Sequence, residues 1–269
     1  MNTSANPVPR QLPAGACISH AISSVRNNIA YAFAISWPWY LVLIVLGVGA
    51  GLLADLASGG NPETNPGAVL LIYLGLGLLN LLAFSSIAVN WHRYILLDEM
   101  PSGGDLFRLD DKAWRYFGNV LLITLILFVV SAIVVTPLTL LGAALNSSVV
   151  PAFLAVVAAL CVVGILFFRL SVKLPAIALG RRDFSFSQAL AATRGNSGPL
   201  LLVFLFEVTA ALGIILALAL LVMMVGAVSQ ALAFAVATVL QILVNWIFSI
   251  FGITVLTSLY GFFIEGRDF

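Results

Sequence analysis

Apolar residues fill six long stretches of this chain, roughly Tyr31–Leu53, Ala68–Ile95, Gly118–Leu141, Pro151–Leu174, Leu200–Val222 and Leu232–Phe262, with short polar segments between them. At about 1.5 Å of rise per residue, about 20 residues of helix cross the hydrocarbon of a bilayer, and every stretch reaches that length. Polarity does not alternate within the stretches, which argues against strands. Backbone facing lipid must satisfy its own hydrogen bonds, and a helix does so locally. Shorter segments carry a 3.6-residue period instead. Ile18, Ile22, Val25, Ile29 and Phe33 share one face, while His20, Ser23, Ser24, Arg26 and Asn27 point elsewhere. Ser185 and Gln188 form a candidate capping box ahead of a second such face, made by Phe186, Ala189, Leu190 and Thr193. The pattern predicts an all-α polytopic membrane protein with six transmembrane helices.

Three hairpins are discernible in this order, each preceded by an interfacial amphipathic helix. Arg26-Asn27, Arg115 with Gly118-Asn119, and Arg194-Gly195-Asn196 stand at corresponding entrances. Repeats over 14–99, 105–182 and 184–269 follow from this correspondence, with Leu106 to Phe117 as the least regular interfacial segment. Residues 1–13, rich in Pro, Asn and Ser, read as a disordered cytoplasmic tail, and 14–269 as one transmembrane domain.

Composition sharpens the class. The chain is 62% hydrophobic and 9% charged, with a mean hydropathy of +1.12, too little polar surface for a water-soluble domain of this size. Charge then sets the orientation. With six crossings, all 12 Lys and Arg fall on one side. The three connections opposite, 54–67, 142–150 and 223–231, hold Asp55 and Glu63 and no base. Because cytoplasmic segments carry the Lys/Arg excess, both termini are expected inside.

Candidate chemistry is sparse. Glu207 lies within the fifth span, where a carboxylate is expensive unless paired, neutralised or hydrated. Asn80 and Asn245 lie deep in the second and sixth spans and can bond across helix interfaces. These three form a candidate polar site for transport or for packing. Arg169, Lys173, Arg181, Arg182 and Arg194 line the basic rim and are candidate contacts for anionic lipid, or serve topology alone. His20 and His92 read as solvated interfacial groups, and Trp37 and Trp39 as an interfacial belt around Pro38 near the start of the first span. Two distant histidines without an acid or Cys at ligand spacing argue against a metal site. No Walker loop, HExxH, CxxC or nucleophile elbow is present, which predicts no enzymatic activity and no cofactor. A net charge of +1 offers nothing to nucleic acid.

The string Ser171-Val172-Lys173-Leu174-Pro175-Ala176-Ile177-Ala178-Leu179-Gly180, then Phe184 to Leu190 and Thr193-Arg194-Gly195-Asn196, resembles bacterial six-helix integral membrane proteins. These stand near the YciC-like proteins and the membrane domain that accompanies some glycerophosphodiester phosphodiesterases. The resemblance implies a bacterial host, a six-helix inner-membrane domain and no catalytic residues to carry over; the phosphodiesterase barrel is absent. Two readings stay open: a lipid-interacting or envelope-complex membrane domain, whose partners are membrane lipids and a membrane protein or a second copy, or a small-molecule or lipid transporter using Glu207, Asn80 and Asn245.

Overall fold

The computed structural model describes residues 10–100, 106–145 and 149–269, and among these every regular element is a helix. In chain order they are α1 (Ala14–Asn27), α2 (Ile29–Ser58), α3 (Pro66–Leu97), α4 (Asp111–Ala144), α5 (Val149–Ser171), α6 (Lys173–Ala178), α7 (Phe186–Ala192), α8 (Ser197–Gly226) and α9 (Gln230–Phe263). Six spans, α2, α3, α4, α5 continued by α6, α8 and α9, are long and apolar enough to cross a membrane.

Each crossing outruns its apolar stretch, because local capping carries the helix into polar sequence. The Asn65 side chain accepts from the Ala68 N–H with Pro66 at the first turn, where its missing N–H is harmless. Asp110 accepts from Ala113 at 3.0 Å, and Ser229 from Leu232 at 3.3 Å. The capping box at Ser185 forms as its sequence predicts. At the other end of α2, Gly59 adopts φ +60, the left-handed conformation that closes a helix. Pro38 sits well inside α2, not at the start of the span, because the helix begins at Ile29.

The middle interfacial segment also departs from expectation. Leu106 to Phe117 does not make a separate helix; from Asp111 onward it is the first turns of α4. The N-terminal segment differs as well. Residues 1–9 of the expected tail lie outside the described residues, but Arg10 to Pro13 are held against the bundle. The Leu12 N–H donates to Asn196 Oδ1 at 2.7 Å, and Asn196 Nδ2 returns a bond to the Arg10 carbonyl at 2.9 Å. Two such bonds and the burial of Leu12 outweigh the entropy of a free chain there.

α2 pairs with α3, α4 with α5 and α8 with α9, and the hairpins meet through α3–α4, α5–α8 and α3–α9. At the α5–α8 crossing, a Cβ on Gly164 would overlap the ring of Phe204, so only glycine admits this approach. α1 lies across the ends of α8 and α9. On its docked face Cys17 and Ala21 are fully buried, whereas Ile22 is 46% exposed. Ile18 and Val25 pack against the same core, so the outward face is mainly small and polar (Ser19, Ser23, Arg26 and Asn27), with Ile22 its one large apolar side chain.

Burial is concentrated at one end. On α8 only Leu200 and Val203 are buried; on α9 burial runs almost unbroken from Ile253 to Phe262, and on α3 from Ala83 to His92. Toward the other end large apolar side chains face outward: Val48 is 64%, Phe128 71% and Leu216 64% exposed. In water this surface would drive aggregation; in a bilayer it is the lipid contact.

The bases gather at the well-packed end and stitch it. Arg93 pairs with Glu99 and donates to the Ala178 carbonyl at 3.0 Å, and Arg108 reaches Glu99 at 3.2 Å. Arg182 meets Asp111 at 3.0 Å, Arg267 the Leu96 carbonyl at 3.2 Å, and Arg10 the Phe262 carbonyl at 3.0 Å with Asp268 beside it. The connections expected on one side thus stand at one end of the bundle.

Candidate functional site

Asn80 and Asn245 meet. Asn80 is about 21 Å along α3 from Pro66, and Asn245 about 22 Å along α9 from Gln230, so both sit at mid-depth. They wall one recess of about 30 Å³ between α2, α3 and α9, joined by Ser36, Tyr40, Trp246 and Ser249. Tyr40 is the link: its O–H donates to Asn245 Oδ1 at 2.9 Å, and the Ser249 hydroxyl bonds to Tyr40 in turn. Trp246 Nε1 donates to Ser36 Oγ at 2.7 Å, and Ser36 passes its own hydrogen to the Ala32 carbonyl at 2.6 Å. Trp39 is buried and donates to Ser86 Oγ at 3.0 Å, so it belongs to this core and not to an interfacial belt; Trp37 is the half-exposed one.

Two apolar grooves flank the recess. One, of about 250 Å³, runs between α2 and α9 and shares Ser36, Tyr40 and Trp246 with it. The other, of about 510 Å³, runs between α8 and α9 and shares Asn245, with Gln241 nearby. The recess has room for roughly one water molecule.

Glu207 is elsewhere. It projects from α8 about 15 Å from Ser197, is not a wall of the recess, and has one carboxylate oxygen enclosed without a hydrogen-bond partner. Cys17 of α1 is near enough to feel its charge: burial first, and then Glu207, pushes the Cys17 thiol up to about 12. The three residues taken together in the sequence therefore divide into a pair and a single.

The five rim bases divide too. Arg169 donates to Thr193 Oγ1 at 3.1 Å and to the Leu190 carbonyl at 2.8 Å, fixing α7 to α5. Lys173 lies over the Phe186 ring at 4.0 Å. Arg181 donates to the Tyr260 hydroxyl at 2.9 Å, and that bond raises its pKa further. Arg182, paired only with an exposed Asp111, and Arg194 face outward.

His92 is what the sequence reading missed. It is fully buried among α3, α4 and α9, with Nδ1 at 2.8 Å from Thr257 Oγ1 and Nε2 at 3.2 Å from the Tyr116 hydroxyl. Thr257 gives its own hydrogen to the Ile253 carbonyl at 2.9 Å, so Nδ1 is assigned the proton and Nε2 accepts from Tyr116. His20 repeats the arrangement on Ser258, at 2.9 Å, and burial lowers its pKa. Depth along a span places these rings near the interface, but only the neighbouring helices decide that they turn inward. Among the described residues no group of three or more His, Cys, Asp or Glu is placed to hold a metal ion.

Comparison of the chain with family models, with curated proteins and with solved structures returns no match.

Proposed function

We propose that this multi-pass protein resides in a bacterial cytoplasmic membrane with both termini inside, and serves as a lipid-interacting membrane domain without catalytic activity. The observation that carries this reading is the pair of apolar grooves beside α9, about 250 and 510 Å³, set at membrane depth against a polar recess of about 30 Å³. A polar solute needs a polar route, and the recess is the size of one water; an acyl or prenyl chain needs what the grooves offer. Orientation rests on the bases gathered at one end, which the positive-inside rule assigns to the cytoplasm. There Arg182, Arg194 and Arg26 face outward and are the side chains left to meet anionic headgroups. The resemblance over 169–196 to YciC-like membrane proteins supports the same reading. Transport, the other reading, gains from the meeting of Asn80 and Asn245 and loses from the separation of Glu207.

The test is lipid retention. Purified in mild detergent and examined by native mass spectrometry, the protein should retain lipid. Neutralising Arg26, Arg182 and Arg194 together should lower the anionic share severalfold. Protein that retains no lipid under any mild extraction, or an anionic share that does not respond, counts against the proposal.

A further inference from the structure

A polar side chain at the mid-depth of a bilayer demands a partner, since an unmade hydrogen bond there costs several kcal/mol. Asn80 has none: among the described residues its amide makes no hydrogen bond. Asn245 spends its oxygen on Tyr40 and leaves its two amide hydrogens unused. Both residues are exposed, and the recess they wall shares Ser36, Tyr40 and Trp246 with the α2–α9 groove. The unmet bonds and the apolar groove are thus two parts of one surface.

We propose that this surface binds a single long-chain alcohol, its hydroxyl between the amides of Asn80 and Asn245 and its chain in the α2–α9 groove. The inference rests on the lipid-binding reading above and names the lipid class. Three features select it. No charged residue walls either the recess or the groove, so a phosphate or carboxylate would be buried without a counter-charge. The recess itself, about 30 Å³, has room for one hydroxyl. Asn80 offers both an acceptor and donors, and Asn245 adds donors. A hydroxyl answers both roles, whereas a ketone or ester carbonyl only accepts and leaves Asn80 Oδ1 unpaired. A lone water matches the hydrogen bonds but abandons the groove, whose outer walls, Leu41, Ile44 and Leu243, are all more than 40% exposed.

The full chain in phosphatidylcholine nanodiscs is irradiated with hexadecanol carrying a mid-chain diazirine, and adducts are mapped by peptide mass spectrometry. Hexadecanoic acid and phosphatidylglycerol bearing the same diazirine are run in parallel. The alcohol should label α2 and α9 around Leu41 and Leu243 and outdo both other probes. Asn80→Leu and Asn245→Leu should each lower its yield about fivefold, the worth of one hydrogen bond of about 1 kcal/mol. Leu243→Trp, which fills the groove from the lipid side, should abolish labelling with the melting temperature unchanged. Equal labelling by all three probes, indifferent to the amide substitutions, overturns the alcohol assignment and leaves the lipid-binding reading standing. Absence of groove labelling by every probe overturns both. If the amide variants unfold, Leu243→Trp decides alone, and labelling that survives it defeats the inference.

Discussion

His92 illustrates how a single side chain joins the elements here. Its ring ties α3 to α9 through Thr257 and to α4 through Tyr116, and every hydrogen in that chain has an acceptor. Replacing it with leucine keeps the volume roughly but strands the Tyr116 hydroxyl inside a dry core, at a cost of about 1–3 kcal/mol. The expected result for His92→Leu is a thermal transition in detergent several degrees lower, with Tyr116→Phe in the same background recovering part of the loss. A His92→Leu protein as stable as wild type would show that the clasp contributes nothing. The mid-depth positions of Asn80 and Asn245 were legible in the sequence, because apolar runs fix depth. Their meeting was not, since the rotation of α3 against α9 depends on packing that no local pattern encodes. The same blindness to rotation made His92 read as a wet residue and Glu207 as a member of the asparagine pair.

At the scale of elements, the helices obeyed their local signals. The Ser185–Gln188 box, the Asn65-Pro66 start and the Gly59 stop all lie where their residue types act. The six crossings were readable because a lipid-facing helix must be apolar along most of its length. What escaped was the middle amphipathic segment, drawn into α4 once Asp110 capped it. The α3–α4 connection is held by Glu99, which Arg93 and Arg108 clasp together. The hydrogen bond from Arg93 holds the Glu99 carboxyl down to about 2, against the upward push of partial burial, with Arg108 adding to it. A carboxylate whose pKa falls on folding stabilises the fold above its ordinary value near 4.5, and that support is lost as pH drops toward 2. Wild-type protein should therefore lose thermal stability over that interval. Glu99→Gln should start lower at neutral pH and respond less. Parallel acid curves for the two proteins would remove Glu99 from the account.

The whole molecule is a bundle tight at one end and loose at the other. Packing, the docked helix α1 and all the bases gather where the hairpins converge, while the far halves of α2, α3, α8 and α9 show their apolar sides outward. This asymmetry leaves room for the grooves beside α9 and accounts for the uneven charge, because the bases cap helix ends and bridge carbonyls at the packed end. Their compartment is the central claim, and single cysteines introduced into a Cys17→Ser, Cys161→Ser background test it most directly. An impermeant thiol reagent added to intact cells should label Asn61→Cys and spare Arg26→Cys and Arg182→Cys until the membrane is opened. Labelling of Arg26→Cys or Arg182→Cys from outside, or of the two from opposite sides, would contradict the account.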